Sequence, residues 1–142
     1  ILIVTAAGGA FGEIIRTLEL GKVYGAALAA GGWGLLVPFG LAAIFKTAQG
    51  SSTVAVVSTA SLVAPLLAAL GLAGPDSALL ALLAMGAGSM VTSHANDSYF
   101  WVISRFGNLN VSVTLRAFTP ASALMGGTAL LVIYVMKWLM GM

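Results

Sequence analysis

Two short polar runs interrupt an otherwise apolar chain: Gln49-Gly50-Ser51-Ser52-Thr53 and Thr92-Ser93-His94-Ala95-Asn96-Asp97-Ser98. The first brings together three hydroxyls, an amide and glycine backbone. At the start of a half-helix, Gly50, Ser51, Ser52 and Thr53 would aim several N–H groups and a positive dipole end at one point, which suits a carboxylate. Their hydroxyls and the Gln49 amide also suit the hydroxyls of a sugar acid or hydroxy acid. The second run adds ionisable groups. Asp97 alone in hydrocarbon is very costly, so it must face protein, water or substrate. His94 is the only histidine, and its ordinary pKa of about 6.5 makes it a candidate proton carrier. Asp97 is the other candidate, because burial favours the neutral acid. Ser93, Asn96 and Ser98 supply further polar contacts.

Plainer roles compete with these. Ser58, Thr59 and Ser61 can simply bond their own helix backbone, and His94 with Asp97 can form a structural latch. A Ser-His-Asp hydrolase is disfavoured. Ser93 adjoins His94, and neighbouring residues rarely face each other as nucleophile and base; no GxSxG elbow is present. The chain has no cysteine, hence no disulfide framework, Cys-ligated metal or thiol nucleophile. No enzyme activity, metal or cofactor is expected.

The elements that carry these runs must be membrane helices. Of 142 residues, 60% are hydrophobic and 7% charged, with a mean hydropathy of +1.06. A soluble domain is about 25% charged. Six Lys+Arg and four Asp+Glu cannot cover a soluble surface, whereas apolar helices can face lipid directly. The basic balance, net +2, comes from dispersed side chains with no cluster to track phosphates, so nucleic acid is set aside. The chain opens inside an apolar segment without an initiator Met or a basic signal-peptide start. It reads as cut from something longer, while KWLMGM reads as the edge of a last helix.

Residues 1–18 form a first apolar segment with a Gly8-Gly9 pair, followed by Glu13, Arg16, Glu19 and Lys22 at an interface. Residues 24–46 are a second, rich in glycine, with Pro38 as a kink and Lys46 closing it. Apolar sequence resumes at 54–70. A turn follows at 71–76, with Asp76 or Ser77 capping the next helix. The stretch 77–106 is too long for one span, at about 45 Å against a hydrocarbon core of roughly 30 Å. The spacing predicts two half-helices around an unwound segment near 92–97. A short interfacial helix at 107–118 and a final span at 119–140, with Pro120 near its start, complete the chain. Arg16 and Lys22 lie in one connection, and Arg105 and Arg116 flank another; the positive-inside rule puts both in the cytoplasm. Paired polar breaks of this sort mark the central site of secondary transporters.

At these breaks the chain resembles the gluconate permease family of proton-linked symporters, within a wider superfamily of ion transporters. The residues are AAGGAFG at 6–12, KTAQGSSTVA at 46–55 and GAGSMVTSHANDSYFWV at 86–102. Many relatives read HVND where this chain has His94-Ala95-Asn96-Asp97, a mild departure. The resemblance implies an all-α, multi-pass inner-membrane protein, a polytopic bundle in which Gln49–Thr53 tips a re-entrant hairpin and Thr92–Ser98 is an unwound partner. Residues 1–142 would be a single membrane domain, the C-terminal part of an inverted-repeat transporter, and would need the N-terminal part to work. A homo-oligomer is compatible with it. Its partners would be a small organic anion such as gluconate, protons and the lipid bilayer. Gln49, Gly50, Ser51, Ser52, Thr53, Ser93, Asn96 and Ser98 would bind the anion, and His94 or Asp97 the proton. A sodium-coupled carboxylate transporter and a non-transporting membrane subunit are the alternatives.

Overall fold

The computed structural model describes Thr17 and residues 33–142. Apart from Thr17, the expected first apolar segment, its cluster of Glu13, Arg16, Glu19 and Lys22, the AAGGAFG run and the first part of the second segment, 24–32, lie outside these residues. The described part is all α-helix with short connections. The helices are α1 (Leu36–Gln49), α2 (Ser52–Val63, continued by a 3-10 turn Ala64–Leu66), α3 (Pro75–Gly88), α4 (Ser98–Phe106) and α5 (Val111–Leu139).

The start of α1 corrects one expectation. Pro38 does not kink a span over 24–46; it sits in the first turn of a helix that begins at Leu36. There its missing N–H is one the helix leaves unpaired anyway. The helix also runs past Lys46 to Gln49, so Lys46 lies within the last turn. Gly50 then stops it. Its φ of 76° is left-handed, and its N–H donates to the Lys46 carbonyl at 2.8 Å. Ser51 follows in extended backbone, and its Oγ accepts from Val54 N–H at 3.3 Å, opening α2. The first polar run is therefore a tight turn between two antiparallel-capable helices, built by an αL stop and a serine cap.

The start of α3 is set by Pro75 at its first position after an extended Gly74, with no side-chain cap. Asp76 sits in the first turn, favourable to the helix dipole, but neither it nor Ser77 is the cap. The long stretch after it is two helices, α3 and α4, separated by residues 89–97 in non-helical backbone. Asp97 caps α4, accepting from Tyr99 N–H at 3.0 Å.

The expected short helix at 107–118 and final span at 119–140 are instead one helix of 29 residues with Pro120 inside it. Asn110 caps it, accepting from Val113 N–H at 2.8 Å. Proline interrupts one backbone bond here without ending the helix, as membrane helices allow when neighbours support the backbone. Among the described residues α5 alone is long and apolar enough to cross a membrane.

Packing runs along one face of each helix, with a small residue at its closest contacts. The buried faces are Pro38, Ala42 and Lys46 on α1, Ala55, Thr59 and Val63 on α2, and the broader face of Leu80, Ala81, Ala84, Met85, Ala87 and Gly88 on α3. α3 lies against α1, α2 and α5, and α4 lies along α5. Where lipid competes for apolar surface, helices associate by close approach of small side chains. A Cβ on Gly88 would overlap the Phe39 carbonyl of α1, and one on Gly126 would lie 2.6 Å from Val91 Cγ2. Ser61 bonds its own helix at Val57 O, 3.0 Å. Thr59 does not follow that expectation, because its buried hydroxyl has no partner among the described residues.

Candidate functional site

The two polar runs meet. The α1–α2 turn presents its Thr47 carbonyl to the 89–97 segment, where Asn96 Nδ2 donates to it at 2.8 Å and His94 Nε2 lies at 3.1 Å. Ser52 Oγ donates to the Ser89 carbonyl at 3.0 Å. Gly50 has no room for a side chain, since a Cβ would overlap the Asn96 carbonyl oxygen. Glycine is required there twice, by its positive φ and by this backbone-on-backbone contact.

The junction holds a buried ion pair. Lys46 Nζ donates to Asp97 Oδ2 at 2.8 Å and to the Gly50 carbonyl at 2.7 Å. The two side chains are only 4% and 9% exposed. Ser93 Oγ also donates to Asp97 Oδ2, in a short hydrogen bond. With Tyr99 N–H on Oδ1, the carboxylate has partners on both oxygens. That is what a buried charge needs, since an unpaired one costs several kcal/mol, typically about 3–5 when a partner is removed.

The non-helical segment is held by α5. Thr119 Oγ1 donates to the Ser93 carbonyl at 2.6 Å. Ser122 Oγ accepts from Ser93 N–H at 3.1 Å and donates to the Thr119 carbonyl at 2.8 Å. Freed backbone is thus satisfied by hydroxyls, the condition for irregular backbone away from water.

Two cavities flank the ion pair. The larger, about 390 Å³, is lined by Gln49, Gly50, Ser51, Ser52, Asn96, Asp97, Ser98, Tyr99 and Val102. Its walls include the first residues of both α2 and α4, so two helix N-termini open on it. The smaller, about 180 Å³, lies on the other side, and Lys46, Ser89, Ser93, Asp97, Phe118 and Ser122 are among its lining residues. Asp97, Ser52 and Tyr99 border both.

Of the residues expected at a site, Gln49, Gly50, Ser51, Ser52, Asn96, Asp97 and Ser98 share the larger cavity. Ser93 reaches it only through Asp97, His94 faces the Thr47 carbonyl, and Thr53 is exposed and outside the lining. Ser93 and His94 do not form a nucleophile–base pair, as their side chains have separate partners. Among the described residues no three His, Cys, Asp or Glu side chains converge to hold a metal. Sequence reasoning missed Lys46, Thr119 and Ser122. Lys46 reads as the end of an apolar segment, although a lysine one turn before a polar break was a usable signal. Thr119 and Ser122 flank Pro120, which drew attention to the proline instead.

The model of the GntP family permease matches residues 1–139. Among curated relatives, the low-affinity gluconate transporter of Escherichia coli (strain K12) is 35% identical over 127 residues, 89% of this chain and 28% of the relative. The gluconate permease of Pseudomonas aeruginosa is 32% identical over 138 residues, 96% of this chain and 30% of the relative. The Gnt-II system L-idonate transporter of E. coli K12 is 37% identical over 136 residues, 92% of this chain and 29% of the relative. The chain therefore spans less than a third of the length of these relatives. No solved structure matches it.

Proposed function

The chain belongs to the GntP family of permeases, and from that premise we propose that it supplies half of the substrate site of a proton-coupled importer of sugar-acid anions. It is a multi-pass inner-membrane protein and no enzyme, consistent with its apolar α5 and its family. The observation that carries the reading is the larger cavity, where the N-terminal ends of α2 and α4 converge among Gln49, Ser51, Ser52, Asn96 and Ser98. Helix N-termini attract a carboxylate, and amides and hydroxyls complement the polyol tail. The volume lies within the range of small-molecule pockets, roughly 300–1,000 Å³. The relatives named for gluconate and L-idonate support six-carbon hydroxy acids as the substrate class.

In this proposal α1 and α2 form a re-entrant hairpin. At about 1.5 Å per residue, neither reaches the roughly 30 Å of a hydrocarbon core. α3 and α4 are the two halves of a discontinuous helix, with 89–97 lining the site. Residues 1–142 act as the C-terminal part of a longer inverted-repeat transporter, whose remainder completes the cavity. His94 or Asp97 takes the proton.

The test is uptake of radiolabelled gluconate by the full-length parent in sealed proteoliposomes, under an inward proton gradient without sodium. Accumulation that collapses with a protonophore is the expected result. Accumulation only with sodium would replace the proton with sodium, and none with either cation would overturn the reading.

A further inference from the structure

Resting on the reading that this chain binds an organic anion together with a proton, we infer that Lys46 is a switched counter-ion. It neutralises Asp97 in the empty site, and it neutralises the bound anion once Asp97 has taken the proton. The charges in this buried place must balance. Lys46 and Asp97 are nearly inaccessible, 4% and 9% exposed, and they form a neutral pair. The other titratable groups at the junction are His94, engaged with the Thr47 carbonyl, and Tyr99, which borders both cavities. The segment that follows α3 adds only Ser89, Met90 and Ser93 to the smaller cavity beside Asp97, and α5 only Phe118, Ser122 and Met125, none of them titratable near neutral pH. Asp76, Arg105, Arg116 and Lys137 line neither cavity. Among the described residues, Lys46 is therefore the one full positive charge at the site.

An anion entering beside ionised Asp97 leaves one negative charge uncompensated in a low-dielectric setting, which is strongly unfavourable. A proton passed from water to an Asp97 oxygen removes the excess. The site then holds a neutral acid, one ammonium and one anion, summing to zero. The Lys46 ammonium keeps its bond to the Gly50 carbonyl, and Gly50 lines the larger cavity. Its charge thus stays directly behind the anion. Proton and anion each favour the other's binding, a reciprocal linkage, with one proton per monovalent anion.

The experiment uses the full-length parent in sealed proteoliposomes with gluconate as probe, comparing wild type, Asp97→Asn, Lys46→Met and the double variant. Gradient-driven accumulation and gluconate–gluconate exchange without a gradient are measured across pH. Asp97→Asn, held neutral as if protonated, should exchange gluconate with a half-saturation independent of pH, yet fail to accumulate it. Lys46→Met should bind at least about tenfold more weakly, the scale of one lost charge-assisted contact. The double variant has no unpaired buried charge and should fold, yet exchange no better than Lys46→Met. Accumulation by Asp97→Asn, or recovery of transport in the double variant, would make the pair a structural tie and overturn the inference. A wild type that neither accumulates nor exchanges gluconate would overturn the anion–proton reading itself, and the inference with it.

Discussion

His94 is where a chemical and a mechanical role separate most cleanly. Its Nε2 lies 3.1 Å from the Thr47 carbonyl, alongside Asn96 Nδ2 at 2.8 Å. That places it as a clasp between the α1–α2 turn and the 89–97 segment. A glutamine can offer the same carbonyl an N–H but carries no proton near neutral pH. His94→Gln in the full-length parent should therefore slow uptake while leaving it driven by the proton gradient. His94→Ala should slow it further, by about threefold to tenfold, the equivalent of one hydrogen bond of roughly 0.5–1.5 kcal/mol. Loss of gradient dependence in His94→Gln, read as equal uptake with and without a protonophore, would make His94 the proton site. The polar residues of both runs were legible in the sequence because polar groups in apolar surroundings are costly and must have a use. Lys46 was not, because its partner is 51 residues away, and its place one turn before the polar break marks a buried charge without saying what pairs with it.

At the scale of elements, the α1–α2 turn depends on one backbone position. Gly50 combines a φ of 76° with a carbonyl contact that leaves no space for a methyl group. Gly50→Ala should destabilise the parent by about 2 kcal/mol or more, summing the left-handed penalty of roughly 1–2 kcal/mol and the displaced segment. Its melting temperature in detergent, followed by fluorescence size exclusion, checks this. The control is Gly40→Ala on the same α1, where a Cβ meets nothing within 4 Å. Helix boundaries were legible only to within a few residues: the segment expected to close at Lys46 runs on to Gln49 and stops at Gly50, and the turn expected over 71–76 already holds the first residue of α3, Pro75. They were misread where tertiary support overrode local chemistry. Pro120 looked like a start and lies inside α5, a helix against which both α3 and α4 pack.

For the whole molecule, most of α5 remains uncovered: Leu124, Leu131, Val132, Val135 and Leu139 are all more than half exposed. Such a surface needs lipid or further protein. The family relatives are over three times longer than the matched region, and the proposed function has the rest of such a transporter complete the site. Residues 1–142 reconstituted alone should insert and resist carbonate extraction, yet show no gradient-driven gluconate uptake above empty vesicles. The full-length parent, assayed beside them, should accumulate it. Transport by the short chain would mean that the cavity bordered by Gln49–Ser52 and Asn96–Tyr99 is already complete.

The buried pair also imposes an order of assembly during synthesis. Lys46 leaves the ribosome 51 residues ahead of Asp97. At roughly 5–20 residues per second, that is a delay of about 3–10 s. Throughout it the ammonium lacks its Asp97 partner, and α1 and α2, of 14 and 12 residues, are too short to span the bilayer. In the proposed re-entrant arrangement the α1–α2 turn would then wait at the membrane surface or within the insertion machinery until α4 has emerged, and would enter the bilayer late, drawn in by a charge that did not exist when it was made.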